Sequence, residues 1–305
     1  MLRPPVVVSI ALAIAAGEVS ADDAPGAPRP AEPATAGTDT RKLSPRSDAV
    51  MAAYAVMYDG TLTTQDLRAK AGAPLVRRDG FGLGLLFGYG LTHWGLPMRG
   101  GSPGDDGDHD LALHRFEVTL GGGGTLAPGR SVRASIGTAY ASDLRDPTWS
   151  ALQVTSSAMV QWVLGPDDAI AVGAVYTSTA EFLPVLPMLA YVHQRDGSRF
   201  RLDIFIPRHV RAEYQLSPRL RGALGIEVLG NTWIAQWQQS QQTVRRAGGT
   251  AFGELGVGLT ARTRLEVRLG LSVMRHTLPA ELADAMLEHS LRPAGFAQLA
   301  LLFAP

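Results

Sequence analysis

The segment Arg262 to Val273 constrains the fold more than any other part of the chain. Thr263, Leu265, Val267, Leu269, Leu271 and Val273 interleave with Arg262, Arg264, Glu266, Arg268, Gly270 and Ser272. A β-strand turns successive side chains to opposite faces, so this segment has one greasy face and one charged face. The same period of two recurs from Phe81 to the C-terminus, in segments of about ten residues bounded by turn residues. In a soluble sandwich the charged face would meet bulk water. In a membrane barrel it would line a polar lumen, with lipid against the other face.

The N-terminus favours the membrane. Met1-Leu2-Arg3 carries positive charge, Val6 to Ala16 is an apolar run too short to span a bilayer, and Val19-Ser20-Ala21 offers small residues to a signal peptidase. Residues 1–21 are therefore expected to be a secretory signal peptide. Residues 22–49, rich in Pro and Ala, cannot bury a core and are expected to form a disordered periplasmic tail. Residues 50–305 are expected to form one barrel domain. No later stretch approaches the roughly 18 consecutive apolar residues of a transmembrane helix. A membrane-spanning chain of this kind must then close its strands into a barrel, which satisfies every backbone group in lipid. The expected location is the bacterial outer membrane, with membrane lipid and the barrel-assembly machinery as partners.

The chain has no cysteine, although export would take it to an oxidising compartment. That excludes thiolate metal sites, cysteine nucleophiles and a lipoprotein anchor. A formal net charge of zero argues against nucleic acid as a partner. No cofactor or metal is expected.

Strand candidates follow at regular intervals. Phe81, Leu83, Leu85, Phe87, Tyr89 and Leu91 share one face, with glycines among the residues opposite. Phe116, Val118 and Leu120 oppose Arg115, Glu117 and Thr119; Val132, Ala134 and Ile136 oppose Arg133 and Ser135. Segments at 152–164, 170–176 and 188–193 come next. Leu202, Ile204 and Ile206 then oppose Arg199, Arg201 and Asp203, and Val210, Ala212 and Tyr214 oppose Arg211 and Glu213. Leu224, Ile226 and Val228 oppose Arg221 and Glu227. Leu299, Leu301 and Phe303 alternate as a closing strand should, followed by Ala304-Pro305.

Counting from Phe81, these give an all-β antiparallel transmembrane barrel of about 12 strands, within a range of 10–14. Short turns at 165–168, 196–198, 217–218 and 260–263 would be periplasmic. Long connections at 93–109, 142–149, 177–184, 231–248 and 276–290 would be extracellular. Pro207-Arg208 does not fit, because it would be an outer loop of almost no length. A single bent strand over 199–216, or a further strand at Val50 to Tyr58, would change the count.

Phe182-Leu183-Pro184-Val185-Leu186-Pro187-Met188, then Asp203-Ile204-Phe205-Ile206-Pro207, Tyr214-Gln215-Leu216-Ser217 and the Gly222 to Gly230 strand resemble an uncharacterised bacterial outer-membrane barrel family, a domain of unknown function. The resemblance covers 182–233. It implies a barrel and carries no activity or catalytic residue with it.

The expected lumen is lined by Arg133, Arg199, Arg201, Asp203, Arg211, Glu213, Arg221, Glu227, Arg262, Arg264, Glu266 and Arg268. Arginines in that number would bias a pore towards anions. Arg–carboxylate pairs would instead cross-link a narrow lumen and stabilise it. About 12 strands leave little interior space, which favours the second arrangement.

Other constellations are weaker. Asp105, Asp106, Asp108 and Asp110 lack the ligand spacing of a Ca²⁺ loop and fit a solvated outer loop better. No His-x-Ser triplet is present, and Asp108-His109-Asp110 has no fixed geometry for acid–base work, so an enzyme is not expected. Pro279 to Leu291 is expected to form a short outer-loop helix. Trp94, Trp149, Trp162, Trp233 and Trp237 are assigned to the interfacial aromatic girdle, with a sugar-stacking platform at Trp233 and Trp237 as the alternative. The expected role is structural, or a narrow pore for small solutes. A surface binding or adhesion protein acting through its outer loops is the alternative, a lipid-modifying enzyme the third, and a soluble periplasmic sandwich remains open.

Overall fold

The structure, a computed structural model, describes residues 50–58, 63–95, 111–179, 183–237, 240–277 and 293–303. The expected signal peptide, the tail, the acidic loop and the helix at 279–291 lie outside the described residues.

The described residues form fourteen antiparallel strands in a closed barrel, in which each strand pairs with its neighbours in sequence. They are β1 (Val50–Tyr58), β2 (Thr63–Arg78), β3 (Phe81–Gly95), β4 (Leu111–Ala127), β5 (Arg130–Ser142), β6 (Leu152–Val163) and β7 (Asp168–Thr177), then β8 (Val185–His193), β9 (Phe200–Ile206), β10 (His209–Ser217), β11 (Leu220–Trp237), β12 (Ser240–Gly258), β13 (Thr263–Thr277) and β14 (Pro293–Phe303). β1 and β14 close the ring in register from Val50 opposite Phe303 to Tyr58 opposite Gly295, so neither end of the sheet is left unpaired.

One rim carries short turns, and the other carries the longer connections. Gly80 and Gly129 allow the tightest turns: their φ values of 73° and 71° lie in the left-handed region, which a Cβ disfavours.

Two expectations about the architecture, the count of about 12 strands and the loop at 231–248, are corrected, and one open alternative is decided. The strand count is fourteen, because Val50–Tyr58 is a strand and Thr63–Arg78 is another. The outer face of β2 is mostly alanine (Ala69, Ala71, Ala73), so its alternation was hidden by weak hydrophobicity. Most of the stretch 231–248 is not a loop: 231–237 and 240–248 belong to the two longest strands, β11 and β12, paired from Leu220 opposite Val257 to Trp237 opposite Ser240. Pro207-Arg208 is a real two-residue connection between β9 and β10, so 199–216 is not one bent strand.

That short connection notches the barrel wall. β9 ends at Ile206, opposite Leu189 of β8, and β10 begins at His209, opposite Glu227 of β11. Beyond these points nothing in the sheet separates Val185–Met188 of β8 from the upper part of β11. Seven residues of β9 extend about 23 Å. Tilted by roughly 40°, they rise about 18 Å, less than an apolar belt of about 25 Å. Pro187 lies in the part of β8 that pairs with β7 alone, where a residue with no N–H suits a strand edge.

Above the notch β11 turns to a different partner. Ile234 forms a parallel bridge with Ser142 of β5. The Asp143 N–H donates to the Ile234 carbonyl (3.3 Å), and the Gln236 N–H donates to Asp143 Oδ2 (2.9 Å). Gln153 Nε2 donates to the Thr232 carbonyl (2.7 Å). β11 therefore leans across to β5, and at the loop rim nine strands, β11 through β14 and β1 through β5, enclose their own core.

Close strand approach at β12 and β13 depends on glycine. A Cβ on Gly270 would run into the Ala251 carbonyl oxygen and the Phe252 Cα. Gly270→Val is expected to cost about 1–3 kcal/mol through overpacking. The check is the unfolding midpoint of purified barrel in urea; an unchanged midpoint would show that the two strands can separate at no cost.

Candidate functional site

The sheet sorts its side chains as the period of two requires. Leu224, Ile226, Val228, Leu269, Leu271 and Leu299 are exposed on the outside, part of an apolar surface that runs around the barrel. Phe81, Phe200, Tyr214 and Phe303 project outwards towards the turn rim. The candidate site is the interior, and it is divided into layers.

Near the turn rim, β10 to β13 carry a charge lattice. Glu254, whose side chain is 0% exposed, accepts from Arg211 (2.5 Å) and from Arg268 Nε (2.7 Å), and lies 3.4 Å from Arg221. Arg221 also pairs with Glu213 (3.1 Å) and with Glu266. Arg264 reaches Glu266 (3.8 Å), and Arg268 reaches Glu227 (3.5 Å) while lying over the Phe252 ring at 4.8 Å. Four arginines and four glutamates thus fill this half of the lumen with mutually neutralised charge. Such pairs are favourable at low dielectric only while every member is matched.

Nearer the loop rim an ion pair joins distant strands. Arg246 of β12, 1% exposed, donates to both oxygens of Asp66 of β2 (3.2 and 2.7 Å). Thr92 donates to the same carboxylate (2.6 Å), and Arg68 stands 3.6 Å from it. Arg246 also lies 6.0 Å from the Trp233 ring centroid. Beside this pair, Arg115 donates to Gln153 (2.6 Å).

An apolar plug closes the loop end. Trp94, Leu111, Leu113, Ala141, Trp233, Ala235 and Val244 form one buried cluster, with the two indoles edge to face at 6.2 Å. It is the core that the β11–β5 contact encloses. Trp94 (0% exposed) and Trp233 (2% exposed) therefore do not belong to an aromatic girdle, and Trp233 is no sugar platform. Trp149 is exposed on a one-turn helix in the β5–β6 connection, Trp162 faces outwards on β6, and the Trp237 side chain lies outside the described residues.

The opposite wall of the lumen is apolar and small. A cavity of about 770 Å³ lies among Gly121 to Gly124, Leu86, Met159, Ala171, Ala190, Val192 and Phe205, with Arg133, Asp203, Arg208 and His209 also on its surface. A second cavity of about 390 Å³ lies against the charged wall, and Arg208 and His209 line it too.

Of the residues expected in the lumen, Arg201, Asp203, Arg211, Glu213, Arg221, Glu227, Arg264, Glu266 and Arg268 sit on inward positions and Arg133 lines the larger cavity. Arg199 and Arg262 are placed elsewhere: both are exposed in turns just before their strands begin. Asp66, Arg68, Lys70 and Arg246 escaped sequence reading. The first three lie on the alanine-backed β2, whose alternation of Arg68, Lys70 and Gly72 with Ala69, Ala71 and Ala73 was the available signal; Arg246 lies in the stretch assigned to a loop.

His193 bonds Asp168 (2.9 Å), His209 lies 3.5 Å from Asp203, and His114 meets the Tyr89 hydroxyl (3.1 Å); none of these three bonds a serine. Among the described residues no group of three metal-ligating side chains is present.

Residues 113–284, from within β4 to beyond β13, match the family described as Domain of unknown function (DUF6268). The chain belongs to that family. The matched part of this DUF6268 member contains the charge lattice, the notch and most of the plug. No curated protein matches the chain. Among solved structures it is similar to the COG4313 outer membrane channel from Pseudomonas putida F1, with 13% identity over 83% of this chain and 93% of that one and a TM-score of 0.47. It is also similar to the NanC porin (8% identity, 84% and 100% covered, TM-score 0.41) and to outer membrane phospholipase A from Escherichia coli (9%, 83% and 96%, 0.38).

Proposed function

We propose that this chain is a bacterial outer-membrane barrel, exported through its N-terminal segment, whose narrow lumen serves as a scaffold and a restricted path for small solutes with a bias towards anions. The turn rim would face the periplasm, membrane lipid would cover the apolar belt, and the assembly machinery would insert the barrel.

One observation carries this reading: the plug around Trp94 and Trp233, backed by the Asp66–Arg246 pair, occupies the interior at the loop end. A wide diffusion pore needs an open lumen through both rims. The anion bias rests on the cations that line the remaining interior space, Arg133, Arg208 and Lys70.

Planar bilayer recording tests it. The native barrel should give at most small current steps. Trp94→Ala with Trp233→Ala should give larger, anion-selective steps, because the side chains removed are those that fill the mouth. Large native steps that the double substitution leaves unchanged would overturn the proposal.

A further inference from the structure

The notch, the apolar cavity and two cations outside the charge lattice come together around the β9–β10 connection and the cavity it borders. Arg208, in that connection, lines both cavities. Lys70 lines the smaller one from β2. Glu117 lines the same cavity and faces Lys70, but among the described residues neither Lys70 nor Arg208 closes to 4 Å of a carboxylate as every arginine of the lattice does. Arg208 is exposed and Lys70 is matched only at longer range by Glu117, so both can take an anion that arrives from outside.

The larger cavity supplies the other half of a ligand. Its walls at Met159, Ala171, Ala190, Val192 and Phe205 are apolar, and about 770 Å³ lies within the roughly 300–1,000 Å³ of small-molecule sites. Phe205 and Arg208 border the notch, so cavity and wall gap share residues. The notch is itself edged by exposed apolar side chains, Ile206, Val185 and Val228, as a gap opening on acyl chains would be.

We infer that the lumen binds a single-chain amphipathic anion, its head group on Lys70 and Arg208 and its chain in the Met159–Ala190–Phe205 cavity, with entry through the notch between β8 and β11. This rests on the narrow-lumen reading above and names the solute class of that lumen. It also explains why an interior closed at the loop end keeps a large greasy space.

The test uses the full barrel in lipid nanodiscs, with empty discs measuring partition into lipid, and radiolabelled dodecanoate, dodecyl phosphate, dodecanol and acetate as probes. Dodecanoate or dodecyl phosphate should bind saturably above the empty-disc background, and their order tells a carboxylate from a phosphate head. Dodecanol, without charge, and acetate, without a chain, should each bind about tenfold more weakly or worse. Lys70→Met with Arg208→Met should weaken the anion by a similar factor, and Ala190→Phe, which fills the cavity, should do the same. Equal binding of dodecanol and dodecanoate, or no binding above empty discs, overturns the inference even if the variants fail to fold, because both comparisons use the native chain. Small native currents in the bilayer alongside such a failure would leave the narrow lumen standing and remove only this ligand class.

Discussion

Glu254→Ala is expected to lower the stability of the barrel by about 3–5 kcal/mol, the cost of stranding buried charge. Glu254 is the one carboxylate shared by Arg211, Arg221 and Arg268, and its own side chain is sealed from solvent. Arg221, itself only 4% exposed at its side chain, would keep Glu213 and Glu266. Arg211 would retain Glu213 at 3.4 Å, and Arg268 only the longer contacts to Glu227 and Glu266. The three guanidinium groups would then repel one another across the space the carboxylate had filled. The unfolding midpoint in urea measures the loss. Glu254→Gln, which keeps shape and acceptor but not charge, should fall between the native chain and the alanine variant. A midpoint for Glu254→Ala equal to that of the native barrel would show that water enters and screens the lattice.

The second large effect concerns Asp66 and Arg246. Asp66→Ala should cost about 3–5 kcal/mol, because Arg246 would remain buried with its main partner gone. Arg246→Leu should cost a similar amount by leaving Asp66 with only Thr92 and the more distant Arg68. Asp66→Leu with Arg246→Leu should lose much less than the sum, since no unmatched charge remains; the coupling is read from a double-mutant cycle on the same unfolding midpoints. Additive losses would mean that the two side chains do not support each other. The prediction reaches beyond stability, because this pair underlies the plug: the single variants should also pass larger bilayer currents than the native chain.

The fold was legible wherever the outward residues are large. β13 declares itself through Leu265, Val267, Leu269 and Leu271 against Arg264, Glu266 and Arg268. β2 does not, because alanine buries little apolar area and gives a shallow contrast. The upper parts of β11 and β12 failed for another reason. There the outward side carries Thr232 and Thr243 and the inward side carries Trp233, Ala235 and Val244, so the polar-inside contrast is lost where the barrel encloses a dry core. The tryptophans were misread for the same cause: an indole on a membrane strand is expected at the interface, and nothing local shows that β11 crosses to β5. The lattice was legible as a set of inward charges, but its partners were not, since pairing depends on register between strands. The prolines that carry the family resemblance, Pro184, Pro187 and Pro207, acquire a physical meaning only in three dimensions, where the last two edge the notch.

The contact between β5 and β11 has a bearing on how the chain folds. Most of the barrel zips up between strands that are neighbours in sequence, but Gln236 and Asp143 are 93 residues apart and meet only after the five strands between them have been laid down. Contacts of that separation form late, because the chain entropy of closing the intervening loop must be overcome first. A chain caught before that step would have its sequence-adjacent strands paired and its mouth unsealed, so the seal is an assembly checkpoint as well as a barrier.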